Sequence, residues 1–188
     1  NETTTEINPL PLTEQEKRLV KQTRSLKVSN QLAWEPIDYA VAGKPRGYAI
    51  DLLNIISLKT GLKFEYINGF SWFELVHQYN DGGLDILHSV LKTKEKEMTQ
   101  AVSEPLYELP FAVVTKNSKD KIFDLIELKD KKVAMLEGWS IISALKNQFP
   151  NMQIITYPTI QDVLTAVQTG QVFAAIETSL IVKHSISQ

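Results

Sequence analysis

The chain has 188 residues, a formal net charge of −2 and a hydrophobic content of 43%, which is enough apolar material for one large domain or two small lobes. Acidic and basic residues are interspersed along it, so no basic patch indicates a nucleic-acid partner. The absence of cysteine excludes disulfides, thiolate metal sites and cysteine nucleophiles.

Residues 1–11 are polar, contain two prolines and predict a linker or leader. They lack the charged and apolar regions of a signal peptide, and no run of about 18 apolar residues predicts a membrane-spanning helix. We therefore expect mature soluble material or a domain of a longer protein. Thr13 and Glu16 follow with the spacing of a capping box, in which each side chain satisfies a backbone donor at the start of a helix.

Residues 26–90 predict a strand–helix–strand–helix–strand unit. The first helix begins after Gly47 and ends at Gly61, a residue that suits the left-handed cap position. The second helix begins with another capping box, formed by Ser71 and Glu74. Strands are predicted at Leu26 to Asn30, Lys63 to Ile67 and Asp85 to Val90. Because crossovers between parallel strands are right-handed, this order predicts a parallel three-stranded sheet with helices on its faces.

The second half of the chain repeats this pattern. Its strands are predicted at Lys132 to Leu136, Gln153 to Thr156 and Val172 to Ile176, with a helix in each interval. Ser103 to Thr115 contains two prolines and apolar β-forming residues, which predicts an extended segment crossing between the halves. We place the first lobe at residues 12–106 and the second at 107–188. Two such lobes form a cleft, and ligands of open α/β sheets bind at the carboxyl ends of the strands.

Several side chains near the predicted strand ends are candidates for chemistry. Gly138, Trp139 and Ser140 open a helix whose free N–H groups suit an anion, although a single glycine before a helix is a weak signal and a plain loop is the simpler explanation. His88 ends a strand towards the cleft and is a candidate for a ligand contact or a pH-dependent role. The three histidines lack a metal-binding spacing, and no nucleotide-binding or hydrolase motif is present. We therefore expect no metal, no cofactor and no catalytic machinery.

The segment from Trp34 to Tyr66 resembles the opening of family 3 extracellular solute-binding proteins. It contains a tryptophan, a proline, the run GYAIDL at 47–52 and a later Gly-Leu pair, in the family's order. The runs LTEQEKRLVKQTRSLKVSN at 12–30 and EGWSIISALKNQFPN at 137–151 resemble the Venus-flytrap sensor modules of bacterial histidine kinases. The resemblance implies an α/β fold of the periplasmic binding protein type II class, in which each of two lobes is a mostly parallel sheet flanked by helices. It also implies that the first lobe is incomplete without a C-terminal return of the chain.

The same resemblance implies a set of ligand-binding positions. In amino-acid-binding members an arginine clamps the ligand's carboxylate and an aspartate pairs with its ammonium. The arginine position is Lys96 here, a point charge without the planar fork, and the aspartate position is Thr178, with Glu177 beside it. An unmodified α-amino acid is therefore a poor ligand unless Glu177 replaces the aspartate. The implied ligand-binding residues are Gln31, Trp34, Phe70, His88, Ser89, Leu91, Lys96, Trp139, Ser140, Glu177 and Thr178.

The function that the resemblance implies is that of a periplasmic sensor domain. It would belong to an inner-membrane receptor with a histidine kinase as output, tethered to the membrane and compatible with a homodimer, and would close its lobes on an anionic or aromatic small molecule. A free solute-binding protein of a transporter shares every site feature. Two further alternatives are an enzyme similar to cyclohexadienyl or arogenate dehydratases, with Glu177 and His88 as acid and base, and an interaction module that is closed without a ligand.

Overall fold

The computed structural model describes residues 8–91, 100–117 and 120–187 of the chain. The described residues of the first half form α1 Glu14–Gln22, β1 Leu26–Ser29, β2 Ala33–Trp34, β3 Asp38–Val41, β4 Lys44–Arg46, α2 Tyr48–Thr60, β5 Phe64–Ile67 and α3 Trp72–Asn80. The second half contains β6 Phe111–Thr115, a 3-10 helix at Leu125–Leu128, β7 Lys132–Leu136, α4 Ile141–Gln148, β8 Gln153–Tyr157, α5 Ile160–Thr169, β9 Ala174–Thr178 and α6 Ser179–Ile186. No helix among the described residues has the length and apolar character needed to cross a membrane.

The predicted helix starts and ends in the first lobe are confirmed. Both capping boxes form: the hydroxyls of Thr13 and Ser71 accept from the backbone N–H three residues on, and the glutamates there accept from the cap residues. Gly61 takes the left-handed conformation at the end of α2, with its N–H donating to the carbonyl of Ser57. These boundaries were predictable because each cap is a local interaction between residues a few positions apart.

The sheet of the first lobe differs from the prediction of three parallel strands. Strands β1 and β5 pair in parallel, but the segment expected at Asp85 to Val90 contributes only a single bridge, between Val28 and Ile86. On either side of that bridge, side chains form hydrogen bonds with the backbone groups that a longer ladder would use. The Asp85 carboxylate accepts the N–H of Lys27 at 2.8 Å, and the His88 ring binds the carbonyl of Ser29 at 2.7 Å. A ladder cannot continue where side chains have taken its donors and acceptors.

Strands β2, β3 and β4 form a small antiparallel sheet that was not predicted. Ala42 and Gly43 link β3 to β4 with φ angles of 49° and 74°, which is the arrangement of a two-residue hairpin turn. An Ala-Gly pair is a weaker hairpin signal than Asn-Gly. The hairpin leads directly into α2, so it carries Trp34 and Asp38 to the edge of the first lobe.

The second lobe contains a four-stranded sheet in the order β6-β9-β7-β8. Strands β7, β8 and β9 are parallel, as predicted, and β6 runs antiparallel to β9. The last strand spans Ala174–Thr178 rather than Val172 to Ile176. Its pairing with β6 extends it, since Thr178 lies opposite Phe111, while Val172 closes the preceding turn by donating to Ala166. This shift brings Glu177 and Thr178 into the sheet.

Gly47 occupies a position that admits no side chain. Its φ is 112°, and a Cβ added there would lie 2.6 Å from the carbonyl carbon of Ile37. Because the atoms that this Cβ would meet belong to the backbone of Ile37 and Asp38, they cannot move aside easily. We therefore expect Gly47→Ala to lower the free energy of unfolding by about 3 kcal/mol or more. Gly43→Ala is the matched control, since its φ is 74° but a Cβ there would meet nothing within 4 Å. It should cost about 1–2 kcal/mol in urea denaturation, and equal losses in the two variants would contradict this reading.

Candidate functional site

The two lobes are in direct apolar contact. Trp34, Ile37 and Ala49 of the first lobe belong to one buried cluster with residues of β7, β9, α5 and α6 in the second. The opposite face of the second sheet has its own cluster, covered by α4 and the 3-10 helix. The face of the second sheet that contains Ala175 is therefore shared between the lobes, and the cleft between them is closed.

A second contact joins the glycine loop of the second lobe to the first. A Cβ added to Gly138, whose φ is 83°, would lie 3.1 Å from Cα of Phe73 and 3.3 Å from Cδ1 of Trp72. The loop thus packs on the first turn of α3, and only a glycine permits this approach. Trp139, the next residue, is half-buried and packs edge-on against Phe111 at a ring separation of 5.7 Å. The predicted cleft position of this loop matches its contacts, while its use as an anion site stays a prediction.

Glu177 is the most deeply buried charged candidate at this contact. It is 1% exposed, and one carboxyl oxygen accepts the backbone N–H of Thr178 at 2.6 Å. Burial raises the pKa of Glu177 to about 7, and the nearby Thr178 and Trp34 groups oppose this rise. The side chains of Trp34 and Thr178 are both close enough to lower the pKa of Glu177, yet no hydrogen bond of normal geometry joins either of them to its carboxyl.

Two polar atoms beside Glu177 have no hydrogen-bond partner within the described part of the chain. They are the indole Nε1 of Trp34 and the hydroxyl oxygen of Thr178, both fully shielded from solvent. Buried polar groups are nearly always paired, and an unpaired one calls for a structural or functional reason. Trp34 comes from the first lobe and Thr178 from the second, so these unpaired groups lie where the lobes meet.

The strand ends of the first lobe hold a buried polar network. The Asp38 carboxylate accepts from the Asn30 amide at 2.7 Å and from the backbone N–H of Gln31 at 3.0 Å. His88 Nε2 lies 3.5 Å from the same carboxylate. Burial raises the pKa of Asp38, while His88 and the donated hydrogen bonds oppose that rise. Asp38 and Asn30 were not among the predicted site residues, because a short irregular strand gave no motif to mark them.

His88 and Ser89 connect this network to the segment between the lobes. His88 Nδ1 lies 2.9 Å from the Ser89 hydroxyl, which lies 2.6 Å from the hydroxyl of Tyr107. Ser89 has a φ of 58°, the left-handed region that few residues other than glycine adopt. Tyr107 also escaped the prediction, since only the tertiary contact with Ser89 indicates its role.

The structure therefore brings most, but not all, of the predicted site residues together. Trp34, Glu177 and Thr178 meet at the lobe contact, and Trp139 and Ser140 lie in the loop beside it. Gln31, His88 and Ser89 belong to the network of the first lobe. Phe70 and Leu91 are 37% and 41% exposed and lie in neither buried cluster. Lys96 lies outside the described residues.

Comparison with known proteins identifies the family. Residues 26–182 match the bacterial extracellular solute-binding proteins of family 3. This chain belongs to that family. The two-lobed α/β fold inferred from the sequence is thereby confirmed, and solved structures similar to this chain have the same fold.

The relatives of this chain include sensor proteins. The chain is 31% identical over 179 residues to the sensor protein EvgS of Escherichia coli O157:H7. These aligned residues are 95% of this chain and 15% of EvgS. It is 22% identical over 142 residues to the virulence sensor protein BvgS of Bordetella pertussis, covering 76% of this chain and 12% of BvgS. The chain thus spans a small part of the curated relatives it matches.

Solved structures of the family resemble the chain closely in fold. The periplasmic VFT2 domain of B. pertussis BvgS has a TM-score of 0.78 at 20% identity, covering 96% of this chain and 77% of that one. An ancestral arginine-binding protein bound to arginine has a TM-score of 0.75 at 23% identity, covering 87% of this chain and 74% of that one. At these identities the likeness establishes the fold.

Glu177 predicts a pH dependence of stability. Its pKa is about 7 in the folded protein, above its ordinary value of 4.5, so between these values the folded state keeps a proton that the unfolded state has released. Stability should therefore fall as the pH rises from 4.5 to 7, by about 3 kcal/mol from this group. We expect Glu177→Gln to remove that fall in urea unfolding measured from pH 4.5 to 8. Parallel curves for the two proteins would contradict the buried-carboxyl reading.

Proposed function

We propose that this chain is a periplasmic sensor module that closes its two lobes on a small molecule. The observation that carries the proposal is the pair of unpaired groups, Trp34 Nε1 and Thr178 Oγ, buried beside the carboxyl of Glu177. Leaving a buried polar group unpaired costs about 1–3 kcal/mol. A ligand that bonds these groups would remove that cost only when the lobes are closed, because the groups come from different lobes.

The named relatives support a sensor over a free transport protein. EvgS and BvgS are sensor proteins, and the segments that match this chain are a minor part of each. The proposal therefore includes a longer protein, anchored in the inner membrane, with a histidine kinase as its output. A transporter-coupled solute-binding protein is the nearest alternative, since it would use the same cleft.

The groups at the lobe contact indicate the chemistry of the ligand. Glu177 suits an N–H or O–H donor, the Thr178 hydroxyl offers a second polar contact, and the rings of Trp34 and Trp139 suit a planar or apolar part. An anionic part would be held by Lys96 or by the N-terminus of α4. We propose a small molecule that combines an aromatic or apolar part with a hydrogen-bond donor, rather than an unmodified α-amino acid.

Closure is the proposed signal. A ligand shifts a two-state equilibrium only by its difference in affinity for the two states. Contacts to Trp34 on one lobe and Thr178 on the other exist together only in the closed state, so they supply such a difference. The resulting hinge movement of the lobes is the change that the rest of a receptor would detect.

An enzyme is the second candidate, and the raised pKa of Glu177 favours it. A carboxyl with a pKa of about 7 is suited to general acid–base catalysis near neutral pH. His88, its expected partner, bonds Ser29 and Ser89 instead, with no bond to Glu177 in the described part of the chain. Turnover of prephenate or arogenate that is abolished in Glu177→Gln would replace the binding proposal with this one.

A thermal-shift screen tests the proposed binding. Amino acids, dicarboxylates, polyamines and aromatic acids are added to the chain, and a ligand at a hundredfold its Kd should stabilise it by about 2.7 kcal/mol. Thr178→Val should then weaken binding by roughly tenfold, because one hydrogen bond to the ligand is lost.

Thr165→Val, on the exposed face of α5, is the matched control and should bind as the parent does. Silence across the whole library would favour an interaction module that closes without a ligand. Equal weakening in both threonine variants would remove Thr178 from the site.

A further inference from the structure

Tyr107 lies on the segment that crosses between the lobes and contacts both of them. Its ring packs edge-on against Tyr48, at the start of α2, with a ring separation of 5.7 Å. With Ile37 and Leu180 it lines an apolar pocket of about 330 Å³, and Leu180 belongs to α6 of the second lobe. The ring therefore sits at the junction of the first lobe, the crossing segment and the second lobe.

The hydroxyl of Tyr107 begins a chain of hydrogen bonds into the first lobe. It lies 2.6 Å from the Ser89 hydroxyl, which lies 2.9 Å from His88 Nδ1. The other ring nitrogen of His88 lies 2.7 Å from the carbonyl oxygen of Ser29. A carbonyl oxygen only accepts, so His88 Nε2 carries a hydrogen and donates to Ser29. When the ring carries this hydrogen alone, Nδ1 accepts from Ser89, and Ser89 in turn accepts from Tyr107.

The hydrogen bonds of the Ser89 side chain hold its backbone in a costly conformation. A φ of 58° places it in the left-handed region, which costs an L-residue other than glycine roughly 1 kcal/mol or more. Such a conformation persists only where surrounding contacts fix it. At Ser89 the fixing contacts are hydrogen bonds to His88 and to Tyr107, one on either side of the boundary between lobe and crossing segment.

We propose that the hydrogen bonds from Tyr107 through Ser89 to His88 form a latch that holds the crossing segment against the first lobe and favours the closed arrangement of the lobes. The latch rests on the proposed function only in that closure is taken as the signal. Ser89 oxygen accepts from Tyr107 and donates to His88, which leaves one lone pair free. A ligand donor that reaches this lone pair would reinforce the latch without displacing Tyr107.

The absence of cysteine allows a clean measurement of the lobe separation. Cysteines replacing the exposed Asn80 of α3 and Lys146 of α4 are spin-labelled in the 188-residue chain, and their distance distribution is recorded by pulsed electron paramagnetic resonance without added ligand. Tyr107→Phe keeps the ring and removes the hydroxyl, and Ser89→Ala removes the other hydroxyl. Each should increase the population at longer distances by roughly two- to tenfold, the effect of one net hydrogen bond on an equilibrium.

Two further variants distinguish the effect of the latch hydrogen bonds from the effects of backbone strain at Ser89 and of ring packing at Tyr107. Ser89→Gly relieves the backbone cost but lacks the hydroxyl, so it should open the lobes as Ser89→Ala does. Tyr48→Phe is the matched control for ring chemistry, because the Tyr48 hydroxyl has no hydrogen bond within the described residues; it should leave the distances unchanged. The double variant Tyr107→Phe with Ser89→Ala should equal the larger single effect, since both remove the same bond.

An unchanged distance distribution in a folded Tyr107→Phe or Ser89→Ala chain, with folding checked by circular dichroism, would overturn the latch. An equal shift in Tyr48→Phe would overturn it as well, because ring packing would then explain the effect. Neither result depends on a ligand, so failure of the thermal-shift screen and failure of the latch are distinguishable.

Discussion

The contact of Trp34 with the second lobe is the interaction on which the cleft depends. A tryptophan buries 150–250 Å² of surface, and here that surface covers the second sheet beside Ala175 and Glu177. Removing water from this contact is what raises the pKa of Glu177. The same contact shields the Trp34 and Thr178 polar atoms. Lobe closure and the chemistry of the site are therefore one physical event: the lobes cannot separate without rehydrating the carboxyl.

The two lobes reach their sheets by different means. The second lobe has a regular ladder in which parallel strands are joined by backbone hydrogen bonds. In the first lobe, the side chains of Asp85, Ser29 and His88 replace ladder bonds at the third strand. Because the His88 ring also contacts Asp38 and Ser89, the edge of the first lobe is organised as a polar network.

Membership of the solute-binding family explains the architecture of this chain. The implied departures from the family pattern concern the charged groups of the ligand site. The resemblance implies that both ends of the amino-acid clamp are altered, with lysine at position 96 and threonine at 178. The acidic group is instead at 177, one residue earlier in the strand, and therefore on the face of the sheet that the first lobe covers. A carboxyl on that face is shielded by Trp34, and its burial raises the pKa of Glu177 to about 7.

The sequence by itself determined those secondary-structure elements that local signals mark. It also determined that the chain has two α/β halves. Capping boxes at Thr13 and Ser71, the cap at Gly61 and the strand Lys132–Leu136 follow from residues close together in the chain. The resemblance to a family marked Trp34, Glu177 and Thr178 as ligand positions, but not their mutual contact.

Only the tertiary structure decided the loss of the third strand, the extension of β9 to Thr178, and the roles of Asp38 and Tyr107. Each depends on groups that are distant in sequence: Lys27 with Asp85, Phe111 with Thr178, and Ser89 with Tyr107. Periodicity and propensity describe neighbours along the chain, so they cannot identify which distant group takes a given donor or excludes water from a given carboxyl. For that physical reason the local elements could be predicted from the residues, whereas the contacts between distant groups required the tertiary structure.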